Sequence, residues 1–290
     1  MATNTPFGQR LGLVLEGGAM RGIYTAGVLD VFLEAGIMPD VVVGVSAGAL
    51  HGCSYVAGQK GRSIRYYRKY RSDKHFMGLY SLLTTGDVVG TKFCYEDIPL
   101  RLDPFNEAAF EKAPVDFYVT VTNVRTGKPE YILCDELKVG SKMDVIRAGA
   151  SMPLCSKMVE WNGNLYLDGG VSDSIPYAKM KDFGCRKSIV VLTQPAGYLK
   201  QPAAMAPFEA MYRKYPAFVE AMRGRDQMYN TEVCAVEQAA KQGDVFLIRP
   251  SKLLHVGRME HDIEVLNAQY ELGRQDARNQ MDAMGEWMER

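Results

Sequence analysis

The 290-residue chain reads as an α/β protein built on a mostly parallel central sheet. Three stretches predict this. Val41-Val42-Val43 is a β-branched run apolar on both faces, as a buried parallel strand must be. It ends at Gly44-Val45-Ser46-Ala47-Gly48, after which small residues follow at helix-compatible spacing. Leu11-Gly12-Leu13-Val14-Leu15 and Ser188-Ile189-Val190-Val191-Leu192 are two further short apolar strands, the first leading into a glycine loop.

In chain order, the first strand is followed by Glu16-Gly17-Gly18-Ala19-Met20-Arg21-Gly22 and then by a helix from about Ile23 to Ala35. Val28, Val31 and Phe32 share a face of that helix, and Gly36 stops it. The next strand runs straight to Ser46. A strand-loop-helix-strand-turn-helix succession implies parallel strands joined by a right-handed crossover. Both glycine-containing turns then fall on the carboxyl edge of the sheet, where sites of open α/β folds gather.

From Gly58 to about Pro114 the regularity weakens into helical insertions beside or over that edge. Within it Lys60, Arg62, Arg65, Arg68, Lys69, Arg71 and Lys74 alternate with Tyr66, Tyr67 and Tyr70. This pattern suits a solvated helix face, or alternatively a helix that touches an anionic membrane surface. Asp116 to Thr122 alternates like a strand, Arg125 to Lys128 turns, and Glu130 to Cys134 returns as its hairpin partner. Val139 to Ala150 reads as a helix ended by Ser151-Met152-Pro153, and Gly163 to Asp168 as a strand entering the Asp168-Gly169-Gly170 turn. Met205 to Arg223 and Asp226 to Gln242 read as helices, and Asp244 to Ile248 as a last strand. The apolar stripe Ile263, Leu266, Tyr270, Gly273, Ala277, Met281, Met284, Trp287 predicts an amphipathic C-terminal helix. It is expected to pack on the body of the protein, with a second copy of the chain left open as the other acceptor.

Composition narrows the classes. Hydrophobic content of 47% and charged content of 23% are those of a soluble globular protein. A formal net charge of zero gives no bulk field toward nucleic acid or an anionic membrane. Met1 to Arg10 lack a leader pattern, and no window approaches the roughly 18 apolar residues of a spanning helix. The six cysteines are scattered without C-x-x-C spacing, so reduced thiols and a cytoplasmic setting are expected, with peripheral contact at the inner membrane surface left open. The four histidines form no H-x-x-x-H or H-E-x-x-H, so neither metal nor cofactor is expected.

Gly-x-Ser-x-Gly between a strand and a helix is the pattern of a nucleophile elbow, in which Gly44 and Gly48 leave room for a sharp turn that lifts Ser46 above the sheet. The glycine loop admits three readings: a tight turn, a phosphate cradle, or an oxyanion hole made by the N–H groups of Gly18 and Ala19. No Gly-Lys-Ser/Thr or full G-x-G-x-x-G follows it, which disfavours a nucleotide site. The oxyanion-hole reading uses both glycine motifs at once and is preferred.

With Ala150-Ser151-Met152-Pro153 between the elbow and Asp168-Gly169-Gly170, the order and spacing of motifs from Leu11 to Leu192 resemble the bacterial branch of the patatin-like phospholipase family. The resemblance implies a three-layer α/β/α fold, with a core over 8–195, a helical insertion at about 58–115, and a C-terminal helical extension over 196–290 carrying one further strand. It implies a lipid acyl hydrolase of phospholipase A or esterase type acting through an acyl-serine intermediate, with a lipid or other acyl ester as partner. Carried over by motif, Ser46 is the nucleophile, Asp168 its partner, and Gly17, Gly18, Ala19, Arg21 and Gly22 the glycine-rich loop, while Gly169 and Gly170 let Asp168 approach the elbow. Ala19 stands where the family has a third glycine and resists positive φ. Arg21 is expected to tie down the loop, with added positive potential as the alternative.

Two rival readings remain. A Ser-Asp-His triad would use His255 or His261, which follow Asp168 in hydrolase order, whereas His51 reads as a packed helix residue. A lipid-binding or regulatory module with little turnover would need neither Ser46 nor Asp168.

Overall fold

Strand pleating sorts the core into two layers. In β1 (Arg10–Leu15), Leu13 and Leu15 face one layer and Val14 the other. In β2 (Val41–Val45), Val42 joins Leu13, while Val41 and Val43 join Val14. These details come from a computed structural model that describes residues 9–290. Residues 1–8, on which most of the reading of Met1 to Arg10 and the first residue of the expected core fall, lie outside the described residues.

α1 (Ile23–Glu34) follows the glycine loop and α2 (Ala47–Val56) follows the elbow. α3 (Arg62–Tyr70), α4 (Leu79–Thr85), a wide helical turn over Phe93–Leu102 and α5 (Glu107–Lys112) come before β3 (Asp116–Asn123). Then come β4 (Pro129–Leu133), α6 (Met143–Gly149), β5 (Val159–Trp161), β6 (Asn164–Asp168) and β7 (Cys185–Val191). The chain closes with α7 (Ala206–Met211), α8 (Pro216–Arg223), α9 (Arg225–Gln242), β8 (Val245–Ile248) and α10 (Ile263–Glu289).

The eight strands form one sheet in the order β5-β6-β3-β2-β1-β7-β8, with β4 also on β3. β1, β2, β3, β7 and β8 are parallel, and β4, β5 and β6 pair antiparallel. α1, α2 and α10 contribute to the core on one face, and α9 covers the other through Tyr229, Val236 and Ala239. The mostly parallel sheet is the one the sequence predicts, and the α/β/α layering the one the family resemblance implies.

One feature of pairing places the site. β2 and β4 both pair with Tyr118 to Thr120 of β3, so they occupy opposite edges. β6 pairs with Val121 and Thr122, which β4 also meets, so β6 shares the β2 edge. β2 runs along that edge to Val45 opposite Thr120, and β6 runs against it to Asp168 opposite Val121. The two strands meet nearly end to end, with Ser46 just beyond one tip and Asp168 at the other.

Some boundaries differ from expectation. The helix expected over Met205 to Arg223 is two, because Pro216 disfavours helical backbone at Tyr215 and begins α8 itself. The helix expected from Val139 starts at Met143, after Gly140 with φ +79°. β5 is an added strand, joined to β6 by Asn162 and Gly163, both at positive φ.

α10 lies on α1 at backbone contact. A Cβ on Gly27 would stand 2.1 Å from the Tyr270 carbonyl oxygen, and one on Gly273 2.1 Å from that of Tyr24. Tyr270 donates to Asp30 (2.6 Å) and Tyr24 to Asp276 (3.1 Å) across the same seam. The apolar stripe therefore closes the core of this chain. In α3, Tyr66, Tyr67 and Tyr70 turn inward into a cluster with Met20, Ile23 and Phe76. Arg65 grips the Asp103 carboxylate with two nitrogens, at 2.7 and 2.8 Å. The aromatic face that suggested membrane contact is thus spent on packing, and only Lys60, Arg65, Arg68, Lys69 and Lys74 of the basic set are exposed.

Candidate active site

The elbow is a sharp turn. Ser46 takes φ 53° and ψ −123°, a strained conformation for a residue with a side chain, held between β2 and α2. The turn is possible because a Cβ on Gly44 would lie 2.5 Å from the Ala49 Cα, and one on Gly48 2.4 Å from the Leu15 carbonyl oxygen. Ser46 thereby sits at the amino end of α2, where the helix dipole favours negative charge.

Ser46 Oγ donates to Asp168 Oδ2 at 2.6 Å, and both side chains are buried. The other carboxylate oxygen, Oδ1, accepts from the Gly170 N–H at 2.8 Å. The Asp168 backbone is fixed by its N–H to the Ser151 carbonyl and by Thr122 Oγ1 donating to its carbonyl. Gly169 backs closely onto the Thr120 carbonyl, 2.2 Å from where its Cβ would be. Burial pushes the Asp168 carboxyl above the ordinary aspartate value, against the opposing pull of the Ser46 hydroxyl, Arg225, the Gly170 N–H and Lys200.

The glycine loop presses on the elbow: a Cβ on Gly17 would come within 2.8 Å of the Ser46 Cβ. Gly18 is extended, and Ala19 adopts φ 48°, the positive value its methyl group resists. Ala19 opens a 3-10 turn, so its N–H has no acceptor within that turn. Gly22 passes over α2, where a Cβ would meet that of Ala47 at 2.6 Å. Glu16 is buried beneath the loop, accepting from the Thr193 N–H (2.5 Å) and the Tyr229 hydroxyl (2.9 Å). Burial raises its pKa despite those two bonds. The Arg21 side chain makes no hydrogen bond to the loop, and its Nε is buried without a partner. The expected tie is absent from the described residues, and Arg21 instead lines a cavity beside Ser46.

The histidines stand apart. His51 is buried on α2, is pushed down to about 4 by burial, and has no hydrogen-bond partner at either ring nitrogen. His255 and His261 are exposed, and neither lines a cavity that reaches Ser46. Among the described residues no group of three or more His, Cys, Asp or Glu is placed to hold a metal ion.

Two cavities open at Ser46, with Ala19 and Met152 also shared. The first is apolar, walled by Leu50, Tyr66, Tyr67, Phe76, Met77, Ile98, Pro99, Met143 and Ile146. The second is lined by Arg21, Lys200, Arg225 and Arg258, together with Glu16, Asp168 and Tyr229. Sequence reasoning missed both walls. Most of the apolar residues come from the irregular stretch before β3, and Lys200, Arg225 and Arg258 from scattered positions after β7, so of either set only Arg21, in the glycine loop, is marked by a motif.

A serine against a buried carboxylate, with an apolar cavity on one side, is an arrangement suited to cleaving an ester that carries a hydrocarbon chain. The chain belongs to the patatin-like phospholipase family, whose model matches residues 13–180, and this makes it a lipid ester hydrolase. Residues 215–289 match a second model, a domain of unknown function (DUF6363). An uncharacterized protein of Escherichia coli, YjjU, is 28% identical over 273 residues, covering 91% of this chain and 75% of that protein. Lysophospholipase nte1 of Aspergillus terreus and NTE1 of Saccharomyces cerevisiae are each 30% identical, over 61% and 63% of this chain. The matched region is 11% of the length of either lysophospholipase. The crystal structure of VipD from Legionella pneumophila aligns with a TM-score of 0.48 and 13% identity, over 96% of this chain and 67% of that one. No described helix is long and apolar enough to cross a membrane.

Proposed function

We propose that this protein hydrolyses carboxylic esters of lipids through an acyl-serine intermediate, with Ser46 as nucleophile and Asp168 as its only proton acceptor. The observation that carries this reading is the 2.6 Å hydrogen bond from Ser46 Oγ to Asp168 Oδ2, between two buried side chains, with no histidine lining either cavity at Ser46. Ser46 Oγ bonds to the ester carbonyl carbon as its proton passes to Asp168. The carbonyl oxygen becomes an oxyanion that the Gly18 and Ala19 N–H groups receive, at the amino end of α2. Collapse breaks the ester C–O bond, and the departing alkoxide takes the proton from Asp168. Water then gives a proton to Asp168, attacks the acyl carbon and releases the acid, and Ser46 Oγ recovers its proton. The acyl chain occupies the apolar cavity.

An organophosphonate ester probe should label Ser46 and no other serine, since only this one joins an elbow to an adjacent set of fixed donors. Intact mass and peptide mapping read the result, and labelling that persists in Ser46→Ala would refute the assignment.

The pH profile gives a second check. Asp168 acts as the carboxylate, so kcat/KM rises with pH as this group deprotonates. Because burial raises its pKa, the acid limb should fall above the ordinary aspartate value of 3.8. A profile on a neutral short-chain ester that stays flat down to that value would count against Asp168 as the base.

A further inference from the structure

The apolar cavity that opens at Ser46 follows α2 from one end to the other. Its wall takes Leu50 and Cys53 from that helix, and it also takes Arg62 and Phe105. Arg62, the first residue of α3, donates from Nη1 to Ser54 Oγ at 3.1 Å, which ties it to the far end of α2. Phe105 is held at that same end. The Gln59 side chain, just past α2, bonds the Pro104 carbonyl and the Asn106 N–H on either side of it, both at 2.9 Å. Ser54 stands eight residues beyond Ser46 on one helix, a rise of about 12 Å.

This far end cannot give way by turning a side chain. The Arg62 guanidinium also donates to the Asp103 carbonyl at 2.9 Å and lies 3.5 Å from the Asp103 carboxylate. It faces the Tyr66 and Phe105 rings, 5.6 and 5.4 Å from their centres. Arg65 grips the same carboxylate with two nitrogens, which fixes the acid in place. The side chains of Arg62 and Asp103 are each only 6% exposed. Swinging Arg62 aside would strip a buried cation of its partners, at a cost several-fold greater than a methylene gains by entering. A hydrocarbon terminus that reaches this point meets a fixed charge, and further carbons find no apolar wall.

We propose that the apolar cavity measures the acyl chain, with Arg62 and Phe105 as the stop that sets its length, and that the preferred substrates are esters of medium-chain acids. This rests on the proposed acyl transfer, which puts the acyl carbonyl at Ser46. A chain with C–C bonds of about 1.5 Å advances about 1.3 Å per carbon when extended, so the run along α2 holds roughly nine or ten carbons. Both stop residues lie in the stretch between α2 and β3, outside the elbow, the glycine loop and the Asp-Gly-Gly turn. The motifs that carry the chemistry therefore do not set this limit.

The test uses the full chain carrying Ser46→Ala, which binds methyl esters of straight-chain acids from six to fourteen carbons without turning them over. Affinity is read by displacement of an apolar fluorescent dye. It should rise about fourfold per added methylene and stop rising at about ten carbons. Adding Arg62→Met removes the charge while Arg65 keeps Asp103 paired, and it should move the break to longer chains. Phe105→Ala should do the same. Either change should raise the affinity ratio of tetradecanoate over octanoate about tenfold or more, the gain from burying two further methylenes. Leu50→Trp fills the cavity one turn from Ser46 and should move the break to shorter chains. Thermal melting identifies any variant that has lost its fold, and the others decide. Affinity that climbs evenly to fourteen carbons overturns the proposal, as does a break that stays put in the folded variants or no binding at any length. In protein with Ser46 intact, the kcat/KM ratio of 4-nitrophenyl tetradecanoate over octanoate should shift in the same directions. The binding arm needs no turnover. A chain-length break in the Ser46→Ala protein beside an inactive parent would sink the acyl-serine reading and leave the measure standing.

Discussion

Replacing Asp168 by asparagine should lower acylation by about 10³–10⁴-fold, the scale seen when the partner of a serine nucleophile is disabled. Asparagine keeps an oxygen for the Gly170 N–H but cannot take the Ser46 proton. That variant alone does not separate a dyad from a triad, because both lose the same carboxylate. His255→Ala and His261→Ala, singly and together, make the distinction. Both histidines are exposed and neither lines a cavity that reaches Ser46, so turnover of a small soluble ester should stay within about twofold of wild type. A histidine variant as inactive as Asp168→Asn would establish a triad. Burial already disfavours the Asp168 carboxylate in the folded protein. Asp168→Asn should therefore melt no lower than wild type, since the site gives up stability for basicity.

Gly273→Leu should produce the largest loss of stability. A Cβ at this position would stand 2.1 Å from the Tyr24 carbonyl oxygen and 2.9 Å from its carbon, both backbone atoms of α1. Neither helix can yield by turning a side chain, so the seam must open. It carries the Tyr270–Asp30 and Tyr24–Asp276 hydrogen bonds, which would open with it. Overpacking costs about 1–3 kcal/mol and occasionally more, and opening a backbone contact belongs at the upper end. For a chain of this size that is a fall in Tm of about 5 °C. Gly285→Ala, where a Cβ meets nothing within 4 Å, is the control and should leave Tm within a degree or rise slightly. A Gly273→Leu protein that melts with wild type would show that α10 does not rest on α1 at this contact.

The strands of the mostly parallel sheet, the elbow, the glycine loop and the Asp-Gly-Gly turn were legible in the sequence because each is local, whereas the three-layer arrangement was implied by the family resemblance. A β-branched run apolar on both faces can only be a covered strand, and glycines around Ser46 mark a turn that admits no side chains. The Asn162-Gly163 hairpin was equally local and offered a signal for β5 that the reading passed over. The inward turn of Tyr66, Tyr67 and Tyr70 was not legible, since a basic and aromatic helix shows two faces and does not say which one is covered. Arg21 follows the same logic. Its sequence neighbours suggest a loop tie, and only the missing acceptor shows that its charge belongs to a cavity.

By itself, the sequence determined that Ser46 stands on a strand-to-helix turn and that Asp168 ends a strand. The family resemblance implied that they meet, and the tertiary structure decided how, across 122 positions of chain. The reason is register: β2 and β6 run toward each other along one edge of β3, ending opposite Thr120 and Val121. Strand direction and edge are set by pairing with a third strand, and hydrophobic alternation is blind to both. The same holds for the cationic cavity. Arg21, Lys200, Arg225 and Arg258 carry no shared spacing, and they converge because Arg225 anchors on the Gly170 carbonyl while Asn230 of α9 clamps Lys200.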